Sequence, residues 1–113
     1  MPARSTQINI ENHSSQDLHG GNGTLQHGTW SVDVPDTIGK GQSASMRAES
    51  SGVASGDEGR VHYKSAAGDL TFHFDNPFVG HNSYDSSGPD SLSFSTSGGE
   101  GDNCIVTWTI SDK

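Results

Sequence analysis

Six histidines, fourteen acidic side chains and one thiol are the groups of this chain that could do chemistry. Two histidines are placed for it. In residues 61–74, "VHYKSAAGDLTFHF", a turn centred between Ala67 and Gly68 sets Ser65 opposite Leu70, Tyr63 opposite Phe72 and Val61 opposite Phe74. The same register sets His62 opposite His73, and two facing imidazoles can share a metal ion or repel one another as they protonate. No third ligand stands at a useful spacing, so His62 and His73 form a weak metal candidate whose simpler reading is two solvated strand residues. The acidic turn "SGDEGR" offers Asp57 and Glu58, and "QHGTWSVDVP" offers Trp30. An alternating strand normally buries its tryptophan, and Trp108 among Val106 and Ile110 reads as core by the same rule. No nucleophile elbow, phosphate-cradling loop or zinc-protease signature is present. The expectation is a protein that is not an enzyme and carries no cofactor.

The segment "FDNPFVGHNSYD", residues 74–85, is unusual among the turns. Pro77 fixes its own φ and pushes Asn76 toward extended conformations, which makes a rigid corner. Phe78 and Val79 follow at once, where a turn would ordinarily carry polar residues. Phe78 and Val79 can either fold back under the sandwich or project as membrane or partner contacts, with packing the expected role of Phe78. Tyr84, an aromatic with a polar tip, is expected to be an exposed interfacial contact.

The elements that hold these residues are strands. Leu, Ile, Val and Phe make up only 19 of 113 residues, and the net charge is −8. That composition borders on disorder, but the apolar residues alternate, and a half-buried sheet needs only one apolar face. Candidate strands are 6–11, 24–34 (Trp30, Val32 and Val34 on one face), 43–49, 60–65, 70–75, 91–97 and 103–111. In the last, Cys104, Val106, Trp108 and Ile110 share a side. Glycine-rich turns separate them, so the fold class is all-β, an antiparallel β-sandwich, in a single domain over residues 1–113.

The acidic balance, with no basic cluster, argues against nucleic acid and anionic membranes. A zwitterionic lipid, a sugar or a protein partner fits it. One cysteine allows no internal disulfide. The first residues lack the apolar core of a signal peptide, and no apolar run is long enough to span a bilayer. The expected setting is synthesis in the cytoplasm, followed by release or storage in inclusions and action at a target cell membrane.

Taken in order, "INIENHSSQDL", "HGTWSVDVP", "AESSGVASGDEGRVHY" and "FDNPFVGHNSYD" resemble the aegerolysin family, from about Ile8 to Ile110. The last resembles the Asp-Asn-Pro-Phe-x-Gly-x-Asn-x-Tyr signature of its bacterial branch, which includes small insecticidal crystal proteins. The resemblance implies an aegerolysin-like sandwich that binds membrane lipid as the small subunit of a two-component pore-forming toxin. It also implies a larger partner protein, while a homo-oligomer stays open. By motif, Trp30 and Glu58 match the tryptophan and glutamate that bind lipid headgroups in the fungal branch. An indole face and a carboxylate suit a choline or ethanolamine ammonium, as in a zwitterionic sphingolipid. The first-strand tryptophan of the fungal branch is missing from "RSTQINI", and its Asp-Cys-Pro-Trp corner is here Asp75-Asn76-Pro77-Phe78. A different lipid or a membrane receptor therefore stays open, as does a glycan-binding, lectin-like module.

Overall fold

A computed structural model describes residues 2–113. Nine strands build two stacked sheets: β1 (Ser5–His13), β2 (His19–His27), β3 (Thr29–Val32), β4 (Ser43–Glu49), β5 (Asp57–Ser65), β6 (Gly68–Asn76), β7 (Ser83–Ser87), β8 (Leu92–Gly98) and β9 (Asn103–Asp112). The five-stranded sheet runs β3-β4-β1-β9-β8 and the four-stranded sheet β2-β5-β6-β7. All neighbours are antiparallel except β1 and β9, which run parallel through the centre of the larger sheet. The fold is a β-sandwich.

Alternation puts Ile8 and Ile10, Met46 and Ala48, and Val106, Trp108 and Ile110 on the inner face of one sheet. Val61, Tyr63, Leu70, Phe72 and Phe74 line the inner face of the other, all fully buried. The centre is aromatic: Phe72 lies 5.2 Å from Trp108, and Phe94 and Tyr84 meet these rings edge-on. Such contacts add to the burial of large rings in a core of few apolar residues.

Three local details depart from the sequence reading. The β5–β6 hairpin closes on two residues, Ala66 and Ala67, so Ser65 pairs with Gly68, Tyr63 with Leu70 and Val61 with Phe72. The Ser65 hydroxyl donates to the Gly68 carbonyl (2.7 Å) and accepts from its N–H (3.2 Å). That bridge, with Gly68 at φ +140°, stabilises a turn of the length whose twist matches its strands. His62 consequently faces Thr71 and His73 faces Arg60, so the expected His62–His73 pair does not form. The slip of two residues leaves each side chain on its expected face, since faces repeat every second residue.

The candidate strand 24–34 is broken at Gly28 (φ +101°) into the end of β2 and the short β3. A register shift after Trp30 turns Val32 outward, where it is half exposed, while Trp30 faces the interior opposite Ala48. Finally, β7, "SYDSS", pairs with β6 despite lacking apolar alternation.

Pairing also sorts the loops. Ser5 aligns with Glu49 and Asn103, and Asp57 with Asn76. Residues 2–4, the β2–β3 turn and loops 50–56, 77–82 and 99–102 therefore crowd one end of the sandwich. The opposite end is sealed by Leu18 and Ile38, both buried and bridged backbone to backbone.

Candidate functional site

The loop end exposes what the sealed end hides. Val53 is fully exposed on loop 50–56, and Val79 (83%) and Phe78 (39%) protrude from the corner after Pro77. Ala54, beside Val53, is the one non-glycine residue with positive φ among the described residues. Such strain persists only where the surroundings enforce it. Between the two loops lies an open pocket of about 520 Å³, walled by His27, Glu58, Asp75, Pro77, Phe78 and Val79. One wall is apolar and the other carries carboxylates.

The acidic wall comes from the register. Glu58 points outward between His27 on β2 and Asp75 on β6. Its Oε2 lies 3.0 Å from Nε2 of His73, whose Nδ1 is 3.5 Å from Asp85 Oδ1. Burial, and then the neighbouring Glu58, raise the pKa of Asp75, with His73 and His27 opposing. A cation entering here would relieve two crowded carboxylates.

Asp57 sits one residue further in and faces the opposite way. It is 1% exposed. Thr6 Oγ1 donates to its Oδ1 at 2.7 Å, while Oδ2 and the Oδ1 of its cross-strand partner Asn76 are buried without partners. Burial lifts the Asp57 pKa from 3.8 to about 6 against the Thr6 hydrogen bond and the Arg47 charge. Because the folded value lies above the unfolded one, folding favours the protonated acid. The stability this confers is complete below about pH 4 and lost as pH rises through about 6. Asp57→Asn is expected to raise stability at pH 7.5 by on the order of 2–3 kcal/mol, and by almost nothing at pH 4. Urea melts of both proteins at the two pH values check this; an equal gap at both would assign the effect to packing.

The sequence-derived residues are distributed unevenly over this end. Glu58, Phe78 and Val79 come together around the pocket. Trp30 does not join them: its ring packs edge-on against Phe74 at 5.8 Å and over the bare backbone of Gly23, on the interior side. Tyr84 is half-buried with its ring against Trp108; its hydroxyl donates to Gly99 O (2.8 Å) and lies 3.1 Å from Cys104 Sγ. Burial and the Cys104 contact raise its pKa. Gly99 (φ +89°) is closed to any side chain, because a Cβ there would sit 2.3 Å from the Tyr84 ring. His62 accompanies Thr71 at 3.3 Å, away from His73. Among the described residues no group of three or more His, Cys, Asp or Glu side chains could hold a metal ion. Arg4, Val53 and Asp75 complete the site without having been singled out in the sequence. Asp75 alone carried a signal, being part of the corner motif.

No protein-family model matches the chain. An uncharacterized protein of Dictyostelium discoideum is 29% identical over 113 residues, an alignment covering 97% of this chain. The chain spans about a tenth of the length of that curated relative. Among solved structures, the lipid binding protein Nakanori superposes with a TM-score of 0.84, over 98% of this chain and 72% of its own. The two proteins share a fold. At 14% identity the likeness extends to the fold, not to individual site residues.

Proposed function

We propose that this sandwich is a non-catalytic lipid-binding module that docks on membranes by its loop end. Val53, Phe78 and Val79 enter the interfacial layer, and Asp75 and Glu58 receive the ammonium of a zwitterionic headgroup. The observation that carries the reading is the gathering, at the loop end, of protruding apolar loop tips around an acidic pocket. Exposed apolar clusters rimmed by polar groups mark interaction sites. A carboxylate wall suits choline or ethanolamine and repels anionic lipid, in keeping with a net charge of −8. The lipid-binding description of Nakanori, a protein of the same fold, supports it.

The finer reading rests on the aegerolysin-like corner Asp75–Tyr84 and its flanking motifs. In it, the chain is the small, membrane-binding component of a two-part pore-forming toxin of insecticidal or cytolytic type. It is released or stored in inclusions and acts at a target cell membrane with a larger partner protein and further copies of itself.

Sedimentation with four kinds of vesicle tests the lipid reading: phosphatidylcholine alone, phosphatidylcholine with sphingomyelin and cholesterol, phosphatidylcholine with ceramide phosphoethanolamine, and phosphatidylcholine with an anionic lipid. Binding to one or more zwitterionic mixtures, weakened when anionic lipid is added, is the expected result. No binding to any mixture would overturn the reading, and capture on a glycan array independent of lipid would replace it with the lectin-like one.

A further inference from the structure

Arg4 stands at the centre of the loop end, and the membrane reading above gives it work. Its backbone is fixed first: the N–H donates to Ser50 Oγ (3.1 Å) and the carbonyl accepts from the Ser50 N–H (2.9 Å). The side chain, 16% exposed, then runs across to the corner. Nε donates to the Pro77 carbonyl (3.3 Å), Nη2 to the Phe78 carbonyl (2.7 Å) and Nη1 to the Ala3 carbonyl (2.8 Å). Nη1 also lies 3.5 Å from Asp102 Oδ2 on the neighbouring loop. Arg4 Cζ lies over the Phe78 ring, 4.6 Å from its centroid. Nearby, Asn76 Nδ2 donates to the carbonyls of Ser5 and Asp102, tying the base of the same corner to β1 and to loop 99–102.

We infer that Arg4 is a positioning residue that makes the Pro77–Val79 corner compatible with lipid. A turn that carries apolar side chains toward hydrocarbon also carries its own carbonyls, and a carbonyl that leaves water unpaired costs more than a small side chain gains. Non-helical backbone therefore approaches lipid only when its polar groups are satisfied from within the protein. The corner has no sheet partner beyond Asn76, where β6 ends. Arg4 supplies the missing donors to two consecutive carbonyls with one rigid fork and holds the Phe78 ring by its face, leaving Val79 at the tip. Only a guanidinium does all of this: lysine offers a point charge that cannot span both carbonyls in a plane or stack on the ring. Arg4 touches no headgroup in this role. It decides whether the tip can leave water.

This role rests on the membrane reading, and the test separates the two. The four vesicle mixtures above are titrated against wild type, Arg4→Lys, Arg4→Ala, Phe78→Ala and the Arg4→Ala/Phe78→Ala double variant, each with a thermal melt by circular dichroism. Both Arg4 variants are expected to stay folded at the assay temperature and to lose roughly tenfold in partition, the scale of a charge-assisted hydrogen bond. The double variant is expected to lose less than the product of the two single losses, since each removes the same ordered corner. A purely structural role would lower the melting temperature without changing the partition of the folded protein. Arg4→Lys keeps the charge and guards against a folding failure in Arg4→Ala. Wild-type partition in Arg4→Lys, or multiplicative losses in the double variant, would overturn the role of Arg4 alone. Absence of wild-type binding to every mixture would overturn the membrane reading and this role with it.

Discussion

Replacing Val53 and Val79 together by aspartate is expected to abolish vesicle binding while leaving the melting temperature almost unchanged. Both side chains protrude, one fully and the other by 83%, so no core contact is lost and surface substitutions of this kind stay within about 0.5 kcal/mol. At the membrane the balance reverses. Each valine gives up the gain from burying its apolar surface, and each aspartate adds the cost of a charge at interfacial depth. At roughly 1–2 kcal/mol per site, below the cost at a bilayer centre, the pair amounts to about thirtyfold to several-hundredfold in partition. Ser93→Asp with Ser95→Asp adds the same charge on the outer face of the five-stranded sheet, far from the loop end, and is expected to bind like wild type. Titration of both double variants against phosphatidylcholine vesicles containing sphingomyelin and cholesterol decides the matter. Equal binding by the loop-tip variant and wild type would remove the loop end as the docking surface.

Trp30→Ala is expected to act on stability before it acts on lipid. The indole is half-buried between Phe74 and the backbone of Gly23, where an added Cβ would lie 2.5 Å from the ring. The glycine forms a slot that the ring fills. Emptying a slot at the sandwich edge costs about 2–3 kcal/mol, below the range for a fully buried tryptophan because the ring is partly wet. In a domain of this size that lowers the melting temperature by about 10 °C. Urea unfolding followed by circular dichroism measures it, with vesicle sedimentation run well below the melt. A variant that melts like wild type but no longer sediments would instead give Trp30 the headgroup role that the aegerolysin resemblance implies.

Trp30 and Glu58 show where sequence reasoning reaches its limit. Glu58 reads as part of an acidic turn but lies in β5, and Trp30 lies in a candidate strand that breaks at Gly28 and shifts register before Val32, so alternation assigns shared faces only where a strand runs unbroken. It does not say that one residue turns inward on the larger sheet while the other turns outward on the smaller. The same limit explains the hairpin. The core face of "VHYKSAAGDLTFHF" survives a two-residue error in the turn, but the His62–His73 contact does not, because a contact depends on register and a face only on parity.

Loops are less legible still. Phe78 and Tyr84 lie in one motif, yet the first is stacked on Arg4, 74 residues away in sequence, and the second is fastened to Gly99 and Cys104. Val53 sits in a glycine- and serine-rich turn whose composition carries no sign of interaction. Asp57 and Glu58 are adjacent and equally acidic on paper. One is buried with a raised pKa and the other is half-exposed against His73, because consecutive strand residues face opposite sides of the sheet.

The sequence by itself determined β1, β4, β5, β6, β8 and β9 with their inner faces, the buried place of Trp108 and the lack of a cluster of basic residues. These follow from local alternation and charge, which need no partner to be expressed. Only the tertiary structure decided that β1 and β9 run side by side, that β7 pairs at all, and that Arg4, Val53, Asp75 and Phe78 meet at one end. Strand order and register are settled by packing two sheets over one core, and that packing joins loops whose sequences contain no reference to one another.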